Sequence, residues 1–183
     1  MKRAFVLIIG LIVFLFISIS FAYASLDVII KIDGIYGESK LDGHEDEIDV
    51  LSWDWGVTQS GSMHVGGGGG SGVVDVQDLQ IVKYVDKSSA QLLLKCFNGE
   101  QFTEAVLTVR KAGENPIDYV VITMSPVLIT SVSTGGDGGM DRLTEVVTLN
   151  FAKVKFAYTP QKEDGNPDAT IETTLNIEKN IAE

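Results

Sequence analysis

The sequence has few of the residues on which most protein chemistry depends. Among its 183 residues there is a single cysteine, Cys96, and there are two histidines, His44 and His64. One thiol cannot form an internal disulfide, so a disulfide framework and a multi-cysteine metal site are both excluded. We expect Cys96 to be a small buried hydrophobic residue rather than a reactive thiol. This composition argues against an enzyme that depends on cysteine, histidine or metal chemistry.

Positive charge is also scarce. The chain has 14 Lys and Arg residues against 25 Asp and Glu residues, which gives a formal net charge of −11. A nucleic-acid-binding protein needs a basic face to meet phosphates, so this balance argues against a nucleic-acid partner. With 45% hydrophobic residues and only 4 prolines, the composition is that of a folded chain. The length predicts one domain, with at most a short appendage.

The N-terminal segment has the layout of a secretory signal peptide. A basic pair, Lys2-Arg3, precedes an apolar run from Ala4 to Ile17, and the segment ends in Ala22-Tyr23-Ala24. A basic start, an apolar middle and an Ala-x-Ala end predict cleavage between Ala24 and Ser25. The uncharged stretch is also just long enough to span a bilayer, so a membrane anchor stays open as the alternative.

This interpretation divides the chain into a signal peptide at residues 1–24 and a single domain at residues 25–183. The domain would then be secreted or periplasmic, with no stable insertion in a membrane once the signal is cleaved.

The rest of the chain has the pattern of β-strands separated by polar or glycine-rich turns. Seven or eight strands with one helix predict a mainly β fold, either an antiparallel β-barrel or a sandwich. Pro126 is expected to interrupt a ladder because it has no backbone N–H to donate. The predicted strands are Leu26 to Asp33, Glu47 to Ser60 with a bulge near Leu51-Ser52, Val73 to Asp86, Phe102 to Lys111, Ile117 to Thr123, Val127 to Ser133, Leu143 to Tyr158 and Ala169 to Ile177.

One helix is predicted between Ser88 and Gly99. The run Ser88-Ser89-Ala90-Gln91 matches the S-x-x-Q capping box, with Ser88 as the capping residue and Gly99 as the terminator. The apolar residues between them follow a spacing of three or four, which predicts a face that docks on the sheet. That face consists of Leu92, Leu93, Cys96 and Phe97.

No catalytic, metal or cofactor site is predicted. The glycine runs Gly66–Gly70 and Gly135–Gly139 lack the Gly-Lys-Ser/Thr ending of a phosphate loop. The segment Asp164-x-Asn166-x-Asp168 opens like a calcium loop, but Ala169 stands where that loop needs glycine. His44 and the acidic residues after it are expected to form a solvated loop face. Trp53 and Trp55 share one strand face and are expected to anchor the core or a subunit contact.

Six segments in chain order resemble the haemolysin-coregulated protein (Hcp) family, the tube proteins of bacterial type VI secretion. The last two are the most specific, because they join a glycine loop of fixed layout to a long strand. The segments are Ile30 to Ile35 with Gly37 to Ser39, Ile48 to Ser60, Lys83 to Lys87, Glu104 to Gly113, Val132 to Glu145, and Leu149 to Val154 running on to Tyr158 to Gln161.

The resemblance implies an antiparallel β-barrel of two sheets with one flanking α-helix. It also implies homohexameric rings that stack into a hollow tube, which meets spike, sheath and effector proteins and has no enzymatic activity or cofactor. Family members begin almost directly at the strand corresponding to Leu26, and their tube assembles in the cytoplasm before type VI release. A cleaved signal would instead export this chain, so an exported ring protein acting as a secreted or surface virulence factor stays an alternative, as does a misassigned start site.

The two glycine-rich loops, Gly61–Gly72 and Gly135–Gly139, are expected to be contacts between subunits or rings rather than ligand sites. Glycine reaches positive φ and lets a neighbouring chain approach closely. Arg142 is expected to pair with an acidic neighbour, within the subunit or across the interface. The expected contact residues are Gly61, Gly66, Gly70, Gly135, Gly136, Asp137, Gly138, Gly139, Asp141 and Arg142.

Overall fold

Twelve β-strands and one α-helix make up the part of the chain that the structure, a computed structural model, describes: residues 26–60, 74–113 and 115–182. The predicted signal peptide, its cleavage site at Ala24 and Ser25, and the first glycine-rich loop with Gly61, Gly66 and Gly70 lie outside these residues. Within the described ranges, no helix has the length and apolarity needed to cross a membrane. The elements are β1 (Leu26–Ile32), β2 (Ile48–Asp49), β3 (Ser52–Asp54), β4 (Val57–Gln59), β5 (Val74–Val76), β6 (Leu79–Tyr84), α1 (Ser89–Asn98), β7 (Gln101–Phe102), β8 (Ala105–Lys111), β9 (Ile117–Gly135), β10 (Thr144–Tyr158), β11 (Ile171–Asn176) and β12 (Ile181–Ala182).

Ten of the strands form one antiparallel sheet that curls until it meets itself. The main ladder order is β12-β11-β10-β9-β8-β1-β2, and β6 pairs with both β10 and β3. The seam lies where the chain passes from β2 to β3: the Val50 N–H donates to the Val28 carbonyl (2.8 Å) and the Leu51 N–H to the Val82 carbonyl (2.7 Å). This switch of partner closes the barrel, and β4 and β5 form a separate two-stranded ribbon. The predicted mainly β antiparallel fold with one flanking helix is confirmed.

Four strand predictions need correction. The segment from Val73 to Asp86 is divided into β5 and β6, which belong to different sheets, and Phe102 lies in β7, separated by a turn from β8. The segment from Glu47 to Ser60 is three short strands rather than one, because the chain changes its pairing partner at the seam. The predicted break at Pro126 is wrong, since β9 runs without interruption from Ile117 to Gly135. The ladder to β10 passes over the proline: Ser125 pairs with Lys153 and Val127 with Phe151, so the missing N–H costs a single rung.

The core fills the barrel with alternate residues of the strands. Trp53 and Trp55 are half-buried and pack against it, which confirms their predicted core role, and the Trp55 and Phe151 ring centroids lie 6.2 Å apart. Because strand side chains alternate between faces, every second residue points inward. The inward residues include Ile30 and Ile32 of β1, Leu79 and Ile81 of β6, Leu107 of β8, Ile122 and Met124 of β9, and Val147 and Leu149 of β10, each at most 1% exposed.

Helix α1 begins and ends close to the predicted residues, but its cap and its docking face differ. Gly99 adopts the left-handed conformation (φ 62°) and closes the helix as predicted, whereas the Ser88 side chain makes no capping hydrogen bond. Leu92 is buried and Cys96 packs against the core, but Leu93 and Phe97 are 54% and 88% exposed. The predicted single docking face is therefore wrong. Leu93 and Phe97 each follow an inward residue by one position, which turns them by about 100° away from the barrel.

Candidate assembly interface

The acidic and histidine clusters considered as metal sites have structural roles. Among the described residues, no group of three or more His, Cys, Asp or Glu side chains is placed to hold a metal ion. His44 Nδ1 lies 2.8 Å from Glu47 Oε2, and Nε2 lies 3.8 Å from Asp118 Oδ2, with His44 only 13% exposed. The predicted solvated face is thus wrong for His44, whose ring is mostly buried between Glu47 and the Asp118 side chain of β9. In the turn after β10, Asp164 accepts the Asn166 N–H, and this bond lowers the pKa of the exposed Asp164 carboxyl.

The long strand β9 is paired on both sides along its first part only. Residues Ile117 to Met124 pair with β8, and Val127 and Leu128 pair with β7. From Ile129 to Gly135 the only ladder among the described strands is the one to β10. The other side of this stretch is a free edge, whose unpaired backbone groups can accept a further strand.

A second free edge lies on β3. Ser52 to Asp54 pair with β6, and no other described strand pairs with them. The strands β3, β6, β10 and the second part of β9 therefore form a four-stranded section with antiparallel neighbours throughout. Its two outer strands run in opposite directions. Copies placed side by side, β3 against β9, would continue the same antiparallel order, so the section has the geometry for head-to-tail joining.

The outward face of this four-stranded section is nearly neutral and mostly small. The strand register aligns its side chains in three rows across the section, and Asp54 is the single charged residue among them. At the two ends of the rows, Asp78 accepts hydrogen bonds from Thr130 and Asn150, and Arg142 lies over the Tyr84 ring. In a chain with 21% charged residues, a continuous face of hydroxyl, amide and valine side chains is a distinct surface. The rows are Asp54-Gln80-Thr148-Ser131, Ser52-Val82-Val146-Ser133 and Tyr84-Thr144-Gly135.

The second glycine-rich loop lies at the end of this section, between β9 and β10. Its glycines Gly135, Gly136, Gly138 and Gly139 do not have positive φ, so the conformational reason expected for them is wrong. A Cβ at Gly136 would overlap the end of the half-exposed Leu143 side chain, which would have to move aside.

The acidic residues of this loop are not the partners of Arg142 within the subunit. The Arg142 guanidinium lies 3.9 Å from the centroid of the Tyr84 ring, as a cation–π contact. Asp137 instead accepts the Gly139 N–H at 2.9 Å and so stabilises the turn. Near Arg142 and Asp141, the side chains of Met140 and Leu143 are each 46% exposed. The loop thus presents apolar side chains at the end of the section.

Helix α1 is held to the inner side of this section by a buried ion network. Lys83 is fully buried, and its Nζ lies 2.8 Å from Glu145 Oε1, from Asp86 Oδ1 and from the Tyr84 carbonyl oxygen. At the first residue of the helix, Ser89 Oγ donates to Glu145 Oε1 at 2.7 Å. Burial alone would raise the pKa of Asp86, but the hydrogen bonds from Lys83 and Ser88 and the Lys83 charge together lower it.

Sequence reasoning missed this network, although a signal for it is present. Lys83 follows Leu79 and Ile81 at the same alternation of β6, and Glu145 precedes Val147 and Leu149 on β10. A charged residue at an inward position of each of two strands indicates a buried pair.

Comparisons with known proteins agree on one family. Residues 29–158 match the family model described as type VI secretion system effector, Hcp. The chain is 54% identical over 159 residues to Protein hcp1 of Pseudomonas aeruginosa. The aligned region covers 86% of this chain and 98% of that protein.

Solved structures give the same result. The structure of a type six secretion system protein is 25% identical with a TM-score of 0.82, covering 87% of this chain and 100% of the other. The crystal structure of Hcp1 from Salmonella typhimurium is 32% identical with a TM-score of 0.70 and the same coverage. The chain therefore belongs to the Hcp family of type VI secretion proteins. Proteins of this family are secreted, form oligomeric rings, and are structural and effector-carrier proteins rather than enzymes.

Proposed function

We propose that this chain is the subunit of a homohexameric ring, that the rings stack into the tube of a type VI secretion system, and that the tube carries effector proteins. The observation that carries the proposal is the pair of free strand edges, on β3 and on Ile129 to Gly135 of β9, at opposite sides of one nearly neutral face. No cofactor and no catalytic role are included in it.

The two edges support a ring because a head-to-tail contact uses a different surface on each copy. Such a contact closes into a ring when the rotation between copies allows it, and closure leaves neither of these two edges exposed. Joined in this way, the four-stranded sections form one continuous wall. We place their neutral outward face on the channel, where the scarcity of charge avoids strong binding to any one cargo.

The loops at the ends of the section are the proposed contacts between rings. Gly135 to Gly139, with Asp137, Asp141, Arg142 and the exposed Met140 and Leu143, lie at one end. Gly61, Gly66 and Gly70 lie in the segment that connects β4 to β5. All three residues of β4 are exposed, and a two-stranded ribbon alone is only marginally stable in water. A neighbouring ring, or the spike or sheath, would supply the missing support.

The assembly is tested with the full protein purified from its own cells. Light scattering should give the mass of a hexamer, and electron microscopy should show rings with a central channel. A monomeric mass at the highest attainable concentration would contradict the proposal.

The carrier role is tested on the neutral face. Thr148→Arg places a long cation on every subunit's channel wall, away from both free edges, whereas Thr103→Arg makes the same change in the exposed turn between β7 and β8. The first variant should still form rings but should release less effector into the medium, and the second should behave as the wild type. Equal effector release from both variants would contradict a channel role for the face.

A second candidate function rests on the leader. Its basic start, apolar run and Ala22-x-Ala24 end support cleavage before Ser25, with residues 25–183 exported as a ring protein that acts outside the cytoplasm. Cell fractionation with N-terminal sequencing separates the two. A chain beginning at Ser25 in the periplasm, and its loss in Ala24→Arg, supports export. A cytoplasmic chain without processing supports tube assembly before type VI release, and a membrane-bound chain beginning at Met1 supports the anchor.

A further inference from the structure

Helix α1 has a second apolar stripe, which faces away from the barrel. Leu93 and Leu94 are each 54% exposed and Phe97 is 88% exposed, and Ala90 lies between them on the same side of the helix. The inward side is already occupied by Leu92 and Cys96. A helix that is apolar on two adjoining faces is typical of one that is covered on both, and a cluster of exposed apolar side chains marks an interaction site. The four residues Ala90, Leu93, Leu94 and Phe97 are called the outer stripe below.

The helix lies along the part of β9 that has the free edge. At its start, Ser89 bonds to Glu145, and Glu145 is the ladder partner of Thr134. Just after its end, β7 pairs with Val127 and Leu128. Ten residues of helix span about 15 Å, and the six-residue step from Leu128 to Thr134 spans about 20 Å. The free backbone edge and the outer stripe are therefore neighbours along nearly the same length of the molecule.

We infer that the outer stripe is covered by a second copy of this chain, the copy whose β3 joins the free edge of β9. The inference rests on the proposed ring. A strand added to β9 lies about 4.8 Å from it, which brings the body of the incoming molecule over α1. A single neighbouring copy would then pair with the unpaired backbone of β9 and cover the exposed outer stripe. This chain itself has the free strand, β3, that such pairing requires.

A matched pair of variants on α1 tests the inference. Phe97→Glu and Gln91→Glu each add one negative charge at an exposed position of the same helix, but only Phe97 lies on the outer stripe. Light scattering over a dilution series of the full chain measures the concentration at which the ring dissociates. We expect Phe97→Glu to raise that concentration at least about tenfold, as for a residue at the centre of an interface, and Gln91→Glu to leave it unchanged. Leu94→Gln should act in the same direction as Phe97→Glu.

The possible outcomes separate this inference from the ring itself. If the wild type is a monomer, the proposed ring fails before the stripe is tested, and the inference fails with it. If the wild type forms rings and Phe97→Glu forms them at the same concentration, the ring stands and the inference is overturned. Loss of the circular dichroism signal of Phe97→Glu would overturn it as well, because a side chain with this exposure would then be supporting the subunit rather than the contact.

Discussion

Helix α1 has a buried ion network beside its inner side and exposed apolar side chains on its outer side. On the inner side, Lys83 and Glu145 are fully or almost fully buried, and Asp86 is 8% exposed. On the outer side, Leu93 and Phe97 face solvent in the isolated subunit. Buried charge is tolerated where each charged group has its partners, and the network meets that condition. We therefore expect substitutions on the inner side to destabilise the subunit. On the inference above, substitutions on the outer side should weaken the contact between subunits.

The largest effect is expected from breaking the inner network. Lys83→Ala leaves the carboxylates of Glu145 and Asp86 together in the interior without their cation. Removal of one partner of a buried ion pair costs about 3–5 kcal/mol of unfolding free energy, and urea denaturation would measure the loss. The double variant Lys83→Met/Glu145→Leu removes the cation and one anion together and should recover much of it. A double variant as unstable as Lys83→Ala would contradict the assignment of the cost to unpaired charge.

A smaller effect is expected from a matched pair of leucines on either side of α1. Leu92 is fully buried and Leu93 is half-exposed. Leu92→Ala should lower the free energy of unfolding by about 3 kcal/mol through lost burial and a cavity, whereas Leu93→Ala should change it by less than about 0.5 kcal/mol. Both values refer to the dissociated subunit, measured by denaturation at low protein concentration. Similar losses in the two variants would remove the distinction between the two sides of the helix.

Ser88 tests how the helix begins. Its hydroxyl donates to Asp86 Oδ1 at 2.5 Å, and its own N–H donates to the same oxygen at 2.9 Å, so the carboxylate of Asp86 serves this end of the helix. Ser88→Ala should cost about 1.5 kcal/mol, the contribution of a hydrogen bond to a charged group. If Ser88 acted only as a helix cap, Ser88→Ala would leave the acid sensitivity of the protein unchanged. Because Ser88 bonds to Asp86, the substitution should instead raise the pKa of the Asp86 carboxyl.

The smallest effect is the acid dependence of stability. The pKa of Asp86 is lowered from its usual value of 3.8 in the folded protein, so its contribution to stability is complete above that pH. The contribution declines as the pH falls through the lower folded-state pKa, because the protonated acid loses its interactions with Lys83 and Ser88. Denaturation between pH 6 and pH 3 should show a shallower loss in Asp86→Asn than in the wild type. Parallel curves would show that this carboxyl does not contribute.

Much of the fold follows from local patterns in the sequence. Strand patterns in the sequence predicted β1 and β10 to within one residue and the end of β8, and Gly99 predicted the end of α1. The errors occur where tertiary pairing overrides local preference. Pro126 has no N–H, yet the ladder on either side of it keeps β9 continuous, and the segment around Leu51 is divided because it bonds to two different strands.

The candidate interface was less predictable, for a physical reason. A free edge exists only relative to the strands that do pair, so the edge at Ile129 to Gly135 is invisible until the partners of β9 are known. Likewise, the spacing of Leu92, Leu93, Cys96 and Phe97 shows that α1 is apolar but does not show which part of it meets the barrel. For the glycine loop, the expected approach of a neighbouring chain stays a prediction, and within the subunit Arg142 lies over the Tyr84 ring rather than beside an acidic neighbour.

The most direct test of the account is a cryo-electron microscopy map of the assembled protein at a resolution that separates β-strands. We expect a ring in which β3 of one subunit pairs antiparallel with the Ile129 to Gly135 stretch of the next, and in which the rows containing Thr148 and Val146 face a central channel. A ring whose subunits meet through other strands, or whose nearly neutral face points away from the channel, would contradict it.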